Sequence, residues 1–198
     1  MSEFSVPAFP AQLETARLLL RAPQAGDLDA VFELQADPIA NRFSPSGPLA
    51  SREAAAALLQ GWLAHWQARG FGYWAIARRE QPEQLIGFGG VMQRSLGGIA
   101  GLHLYFRFLP QHWGQGLASE MAQQALELAF ASLHAPSVLA VVLPANTPSR
   151  KTLERIGMLL KSSLADVPGQ APSLVYELTA ARFAGLPRVP PAPTPFGA

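Results

Sequence analysis

Six residues, Gln111-His112-Trp113-Gly114-Gln115-Gly116, stand between an apolar run ending at Leu109-Pro110 and a long amphipathic stretch. A helix that starts at this point presents unpaired main-chain N–H groups and a partial positive charge, which is chemistry for holding phosphate. Gly114 and Gly116 lack Cβ, so the backbone can approach an anion closely and adopt positive φ. Pro110 forces the chain out of the preceding strand. The segment from Gln111 to Ala118 therefore suits a pyrophosphate held mainly by main chain.

Two other readings compete. The glycines could simply mark a strand-to-helix turn. Alternatively, Gly114-x-Gly116-x-x-Ser119 partly matches a dinucleotide fingerprint, which wants an acid at the end of the following strand to bind ribose. That strand ends in Leu143-Pro144-Ala145-Asn146, without an acid. The dinucleotide reading is thereby reduced to a minor alternative. The four histidines, His65, His103, His112 and His134, show no metal-ligand spacing with an acid, and the chain has no cysteine. No metal, thiolate site or disulfide framework is predicted.

The elements that would position this loop can be read from periodicity. Residues 16–21 form a first strand, followed by a turn over Pro23 to Gly26. Asp27 is placed to N-cap a helix carrying Leu28, Val31, Phe32 and Leu34, which stops before Pro38. A Ser/Pro/Gly-rich loop runs from Asn41 to Pro48. Ser51 opens a second helix with Leu58, Leu59, Trp62, Leu63 and Trp66 on its apolar side, closed by Gly70. Tyr73 to Ala77 and Leu85 to Met92 read as an antiparallel hairpin. After a Gly97-Gly98 turn, Leu102 to Leu109 is a third strand of this group. Gly116 to Leu133 is a strongly patterned helix, with Leu117, Met121, Ala125, Leu128 and Ala129 on one face. Val138 to Leu143 is an apolar run typical of a buried, parallel strand. Ser149 to Ile156 is a helix ended by Gly157, and Leu174 to Leu178 a last strand. The order predicts a mixed α/β sheet with parallel pairing late in the chain.

Composition sets the outer limits. The 198 residues are 49% hydrophobic and 15% charged, with a formal net charge of +1. These values suit one folded, soluble domain and argue against global disorder. Lys and Arg are dispersed, whereas a dedicated nucleic-acid binder usually shows a basic stripe. No apolar run approaches the ~20 residues of a membrane span, and Met1 to Pro10 lacks the pattern of a signal peptide. A cytoplasmic location is the expectation. Residues 1–184 are expected to form the domain, with a Pro/Gly-rich extended tail over 185–198.

Gln111-x-x-Gly114-x-Gly116 resembles the Gln/Arg-x-x-Gly-x-Gly/Ala signature of the GNAT N-acetyltransferases. The surrounding run from Leu109 to Glu120 looks like the RimJ/RimL-type branch, which acetylates protein N-termini and related amines. Three further segments agree in type and order. Thr15 to Arg21 resembles the branch's opening strand, and Ile86-Gly87-Phe88-Gly89-Gly90 its third strand. Asn146-x-x-Ser149-x-x-x-Leu153-Glu154-Arg155-Ile156-Gly157-Met158 resembles its downstream Asn-x-x-Ser block. The match spans roughly residues 13–180. It implies a six- to seven-stranded mixed α/β (α+β) sheet with helices on both faces and splayed central parallel strands.

The resemblance implies that acetyl-CoA lies between strands 102–109 and 138–143. Its pantetheine arm would pair with main chain around Phe106, Arg107 and Phe108. Its pyrophosphate would rest on Gln111, His112, Trp113, Gly114, Gln115, Gly116, Leu117 and Ala118. Asn146 and Ser149 would face the pantetheine or thiol end, although Asn146 could equally cap the next helix and Ser149 be a helix-start hydroxyl. The implied reaction is direct attack of a neutral amine on the thioester carbonyl, and an acyl-cysteine route is excluded because the chain has no cysteine. Main-chain N–H groups on 102–109 would stabilise the oxyanion, a donor typically worth roughly 10²–10³ in rate.

Many members carry a glutamate on the cofactor strand, and counting back from Pro110 that position is His103, a candidate general base. The alternative is an ordinary polar face residue. Leu153 stands where some members have a catalytic tyrosine, which leaves Ser149 as the candidate acid for the departing thiolate. His112 could add charge to the phosphate loop. An α-amine, with pKa ~7.7–8.0, is partly neutral at pH 7 while a lysine near ~10.4 is not, which favours an α-amine acceptor.

Arg42-Phe43-Ser44-Pro45 and Trp62 to Trp66 occupy the positions that shape the acceptor side in this family, the tryptophans being better explained as core. A protein or peptide N-terminal α-amine is the favoured acceptor. Alternatives are a small amine (antibiotic, polyamine or amino acid), or a non-catalytic acyl-CoA-binding module. A homodimer is compatible with the sequence, and the Pro-rich tail could reach a partner or a neighbouring cleft.

Overall fold

The computed structural model describes residues 12–96, 98–165, 169 and 171–187. Its elements, in order, are β1 (Gln12–Glu14), β2 (Leu18–Arg21), α1 (Leu28–Ala36), α2 (Arg52–Arg69), β3 (Tyr73–Arg78), β4 (Gln81–Leu96) and β5 (Ile99–Phe108). There follow α3 (Leu117–Glu127), β6 (Ser137–Val142), α4 (Thr147–Arg155), β7 (Leu159–Leu164), β8 (Ser173–Thr179) and α5 (Ala180–Ala184). The strands form one mixed sheet in the order β1-β2-β3-β4-β5-β6-β8-β7. Only the β5–β6 contact is parallel.

The central strands are apolar on both faces because both faces are covered. On β3, Trp74 and Ile76 join the cluster beneath α3, with Met121, Ala122 and Ala125. Tyr73 and Ala75 join the opposite cluster, with Val31 and Leu34 of α1 and Leu59 and Trp62 of α2. The Trp62–Tyr73 pair is edge-on with centroids 5.8 Å apart. Trp66 donates its indole N–H to the Tyr73 carbonyl at 2.8 Å. The tryptophans of α2 are therefore core, as expected. Close approach of α3 to the sheet needs a missing side chain at Gly89, where a Cβ would lie 2.6 Å from Met121 Cε and 2.7 Å from the Tyr105 carbonyl oxygen.

Ser51 caps α2 by accepting the Ala54 N–H at 3.2 Å, and Gly70 ends it in the left-handed region. Asp27 does not cap α1 through its side chain. Its carboxylate instead takes both terminal nitrogens of Arg21, at 2.8 and 2.7 Å, and the Gln24 N–H at 2.7 Å. A charged fork outcompetes a single capping bond.

The helix expected over 116–133 is shorter. α3 stops at Glu127 and continues as a π-helical turn, Leu128–Ser132. The sheet has eight strands rather than six or seven. The extra strands are β1, only three residues long, and β7, a solvent-exposed edge strand without a buried face to imprint an apolar period. The first tail residues do not extend away. Gly185 ends α5, and Leu186 packs on the core with its Cδ1 2.4 Å from where a Cβ on Gly157 would lie. The remainder of the proline-rich tail, 188–198, the N-terminal residues 1–11 and the first glycine of the Gly97-Gly98 turn lie outside the described residues.

Candidate active site

β5 and β6 pair through only two positions, Leu102↔Val138 and His103↔Leu139. Beyond them β5 keeps its antiparallel partner β4 as far as Phe108, and β6 pairs with β8 as far as Val142. The two parallel strands therefore part. They leave the β6-facing edge of residues 104–108 without a strand partner. Main-chain donors and acceptors at an open edge are ready for an extended, amide-bearing ligand.

A cleft of about 350 Å³ opens at this parting, within the size range of ligand sites. Phe106, Arg107 and Phe108 line it from β5, and His112, Trp113, Gly114 and Gly116 from the loop after that strand. Leu117, Ala118 and Ser119 line it from the start of α3, and Asn146, Ser149, Lys151 and Arg155 from α4. Ile39, Ala40, Arg42 and Phe43, from the segment joining α1 to α2, complete the wall.

The loop is built to present a bare helix start. Leu109 to Trp113 turn tightly, with His112 N–H on the Leu109 carbonyl and Trp113 N–H on the Pro110 carbonyl. Gly114 and Gly116 both sit in the left-handed region, at φ 72° and 76°. Gly116 is the N-cap of α3 and provides no side-chain cap. The first internal bond is Glu120 N–H to the Gly116 carbonyl, so the N–H groups of Leu117, Ala118 and Ser119 are left for a ligand. Leu117 itself is buried, so its contribution is main chain.

The loop is tied down from outside. The Arg17 guanidinium donates to the Gln115 carbonyl at 2.8 Å and to Glu120 Oε2 at 2.7 Å. Glu120 Oε1 also accepts the Thr15 hydroxyl and the Arg17 N–H, at 2.6 and 2.8 Å. Burial pushes the Glu120 carboxyl up, but these hydrogen bonds outweigh it and hold the group below its ordinary value. Arg78 bonds the Gln115 side chain, whose Nε2 donates to the Gln111 carbonyl at 3.1 Å. Gln111 and Gln115 do not line the cleft; Gln111 faces a second depression beside Arg21 and Asp27. Trp113 donates its indole N–H to the Phe108 carbonyl at 2.8 Å and remains 40% exposed.

His112 lies in the wall, but burial and then the Arg78 charge depress its pKa below 6.5. That shift works against the positive charge His112 could add to the phosphate loop. His103 sits at the parallel pairing, buried, with Nε2 3.3 Å from the Ile99 carbonyl oxygen. It does not line the cleft. On α4, Asn146 Oδ1 accepts the Ser149 N–H at 3.2 Å, which is the capping arrangement. The Ser149 hydroxyl, half-buried in the cleft wall, makes no hydrogen bond among the described residues.

Sequence reasoning did not single out Ile39, Ala40, Lys151 or Arg155. Lys151 and Arg155, four apart, share one face of α4, and that spacing was the available signal. No group of His, Cys, Asp or Glu among the described residues could hold a metal ion, and no described helix is long and apolar enough to cross a membrane.

Known proteins share this arrangement. The family model described as an acetyltransferase (GNAT) domain matches residues 17–159. The chain is 29% identical over 147 residues to the uncharacterized N-acetyltransferase YoaA of Bacillus subtilis (strain 168), covering 73% of this chain and 81% of that protein. Among solved structures, an acetyltransferase from Agrobacterium tumefaciens str. C58 superposes with a TM-score of 0.72 at 28% identity, over 90% of this chain and 97% of that one. The fold is shared with spermidine N-acetyltransferase from Vibrio cholerae, solved with CoA and spermine, at a TM-score of 0.69 and 17% identity over 86% and 99% of the two chains. With the splayed strands and the glycine-turned helix start in place, the chain belongs to the GNAT family of acetyl-CoA-dependent N-acetyltransferases.

Proposed function

We propose that this protein transfers the acetyl group of acetyl-CoA to a primary amine in a ternary complex, an α-amine of the peptide N-terminal type being favoured, in the manner of the RimJ/RimL branch. The observation that carries the reading is the uncapped start of α3 at the mouth of a parted β5–β6 pair. Acetyl-CoA supplies a thioester already activated towards an amine. The N–H groups of Leu117, Ala118 and Ser119 hold its pyrophosphate, with Lys151 and Arg155 adding positive charge from α4. The open edge at Phe106 to Phe108 takes the pantetheine amides and offers N–H groups to the carbonyl oxygen. Ser149, whose main-chain N–H is capped by Asn146, lines the cleft, and its hydroxyl serves as proton donor to the departing CoA thiolate.

No carboxylate stands ready to receive the proton on the incoming amine. No Asp or Glu among the described residues lines the cleft, and His103 lies away from it. An acceptor that is already partly neutral at pH 7 fits such a site, and an α-amine is one whereas lysine is not. Polyamine recognition would also want carboxylates, which the wall lacks. The test is calorimetry with acetyl-CoA, followed by thiol release against a panel of peptides, amino acids and polyamines. Tight binding with turnover of α-amines is expected. Failure to bind acetyl-CoA would overturn the reading, and binding without thiol release would leave an acyl-CoA-binding module instead.

A further inference from the structure

Four arginines are matched by acids: Arg17 sits on Glu120, Arg21 on Asp27, Arg52 on Asp29 and Arg79 on Glu14. Arg78, Arg150 and Arg182 bond neutral oxygens away from the cleft. Arg107 differs from both groups in its place. It is half-buried in the cleft wall, and among the described residues its guanidinium bonds two neutral groups, the side-chain oxygens of Gln35 and Asn41. Both of those side chains are buried, at 4% and 2% exposure. Both are also held in place: Gln35 Nε2 donates to the Tyr105 hydroxyl at 2.9 Å, and Asn41 Nδ2 to the Leu34 and Asp37 carbonyls at 2.8 Å each. The Tyr105 ring lies 5.6 Å from the Arg107 guanidinium carbon. Two buried amides and a ring thus fix a cation without neutralising it.

Arg42 lines the same cleft but stands exposed, held by rings rather than by amides. Its guanidinium carbon lies 4.8 Å from the Phe43 ring centroid and 5.3 Å from that of Trp113, and no acid pairs with it among the described residues. Holding a guanidinium in a partly dry wall without a counter-charge is costly unless a ligand brings the charge. Its planar fork is suited to a carboxylate. Position separates Arg107 from the cofactor phosphates, with Arg42 standing between, against Trp113. Arg107 reaches towards α1 and the segment after it, whereas the phosphate cradle lies at Gly114 to Ser119 beside Lys151 and Arg155.

We infer that the acceptor carries a carboxylate within a few bonds of its reacting amine, held by Arg107 with Arg42 beside it. This rests on the acetyl-transfer reading above. The carboxylate comes either from a free amino acid or from an acidic side chain next to a peptide N-terminus.

The experiment measures thiol release at saturating acetyl-CoA for matched acceptors: an amino acid and its carboxamide, and peptides starting Asp or Glu against peptides starting Asn or Gln. At least a tenfold kcat/KM preference for the carboxylate member of one set is expected, and the set showing it identifies the source. In Arg107→Gln that ratio should fall to within about threefold of one, and Arg107→Lys should restore part of it, as expected for a charge-assisted contact. Arg42→Gln should lower the ratio by less. Turnover without preference in either set, preference for polyamines, or a ratio unchanged in Arg107→Gln overturns the inference while acetyl transfer stands. Absence of turnover with every amine overturns both.

Discussion

The two walls of the cleft are made in opposite ways. The cofactor wall is main chain: an open strand edge at Phe106 to Phe108 and three bare N–H groups at the start of α3. The wall proposed for the acceptor is side chain: Arg107 of β5, backed by the buried Gln35 of α1 and Asn41, with Arg42 and Phe43 of the following segment. A main-chain site needs only the residues that let the backbone take an unusual path, so it tolerates wide change elsewhere. A side-chain site depends on which residues the fold happens to bring together, and can be re-specified without touching the first. On the proposed reading, one wall would fix the cofactor while the other would be free to choose the acceptor.

The sharpest way to break the cofactor wall is Gly116→Val. A β-branched residue at φ 76° is strongly disfavoured, so acetyl-CoA affinity should drop by a factor of about 100 or more in calorimetry. Next is Ser149→Ala, which should cut kcat by roughly 10²-fold if the hydroxyl acts as the acid, with acetyl-CoA affinity little changed; an unchanged rate removes it from that role. Glu120→Ala removes the anchor of Thr15 and Arg17 on α3. Because Arg17 is about half exposed, a loss of about 1–2 kcal/mol in stability is expected, accompanied by a several-fold loss in acetyl-CoA affinity.

Proton handling gives subtler effects. With no acid in the wall and the His112 pKa depressed, kcat/KM should rise with pH and level off near the acceptor's own pKa, about 7.7–8.0 for an α-amine. A rise that stays at one pH when the acceptor is changed would point to an enzyme base. The smallest effect concerns His103. Burial first, and Arg94 after it, hold its pKa below 6.5 against the hydrogen bond to the Ile99 carbonyl, which raises it. The unfolded chain therefore binds its proton more readily. The associated stability is complete above about pH 6.5 and is lost as pH falls through that value. His103→Gln should flatten part of the fall in melting temperature between pH 7.5 and 5.5, the remainder coming from His65 and His112, which are depressed too.

The same contrast explains what could be read from residues alone. Gly114, Gly116, Pro110 and the Asn146-x-x-Ser149 start carry backbone instructions, and such instructions are local in sequence. They located the loop and the helix start that the structure places in the cleft wall. The alternating apolar residues of β3 and the continuous run of β6 likewise gave their strands, because burial on both faces leaves a clear imprint. β7 left none, since its residues are almost all exposed. The Arg107–Gln35–Asn41 cluster joins residues about 70 positions apart, and no local pattern announces it. Asp27 was legible in part for a related reason: it stands at the N-cap of α1 as its local position implies, but its side chain turns to Arg21 across the turn.

Acetyl transfer by this protein requires that acetyl-CoA occupy the parting of β5 and β6 against the start of α3. Amide hydrogen exchange with and without acetyl-CoA tests it directly. Protection concentrated at residues 104–108 and 114–119, and absent in Gly116→Val, is the predicted result. Protection that appears elsewhere in the chain, or that leaves both segments unchanged, would contradict it.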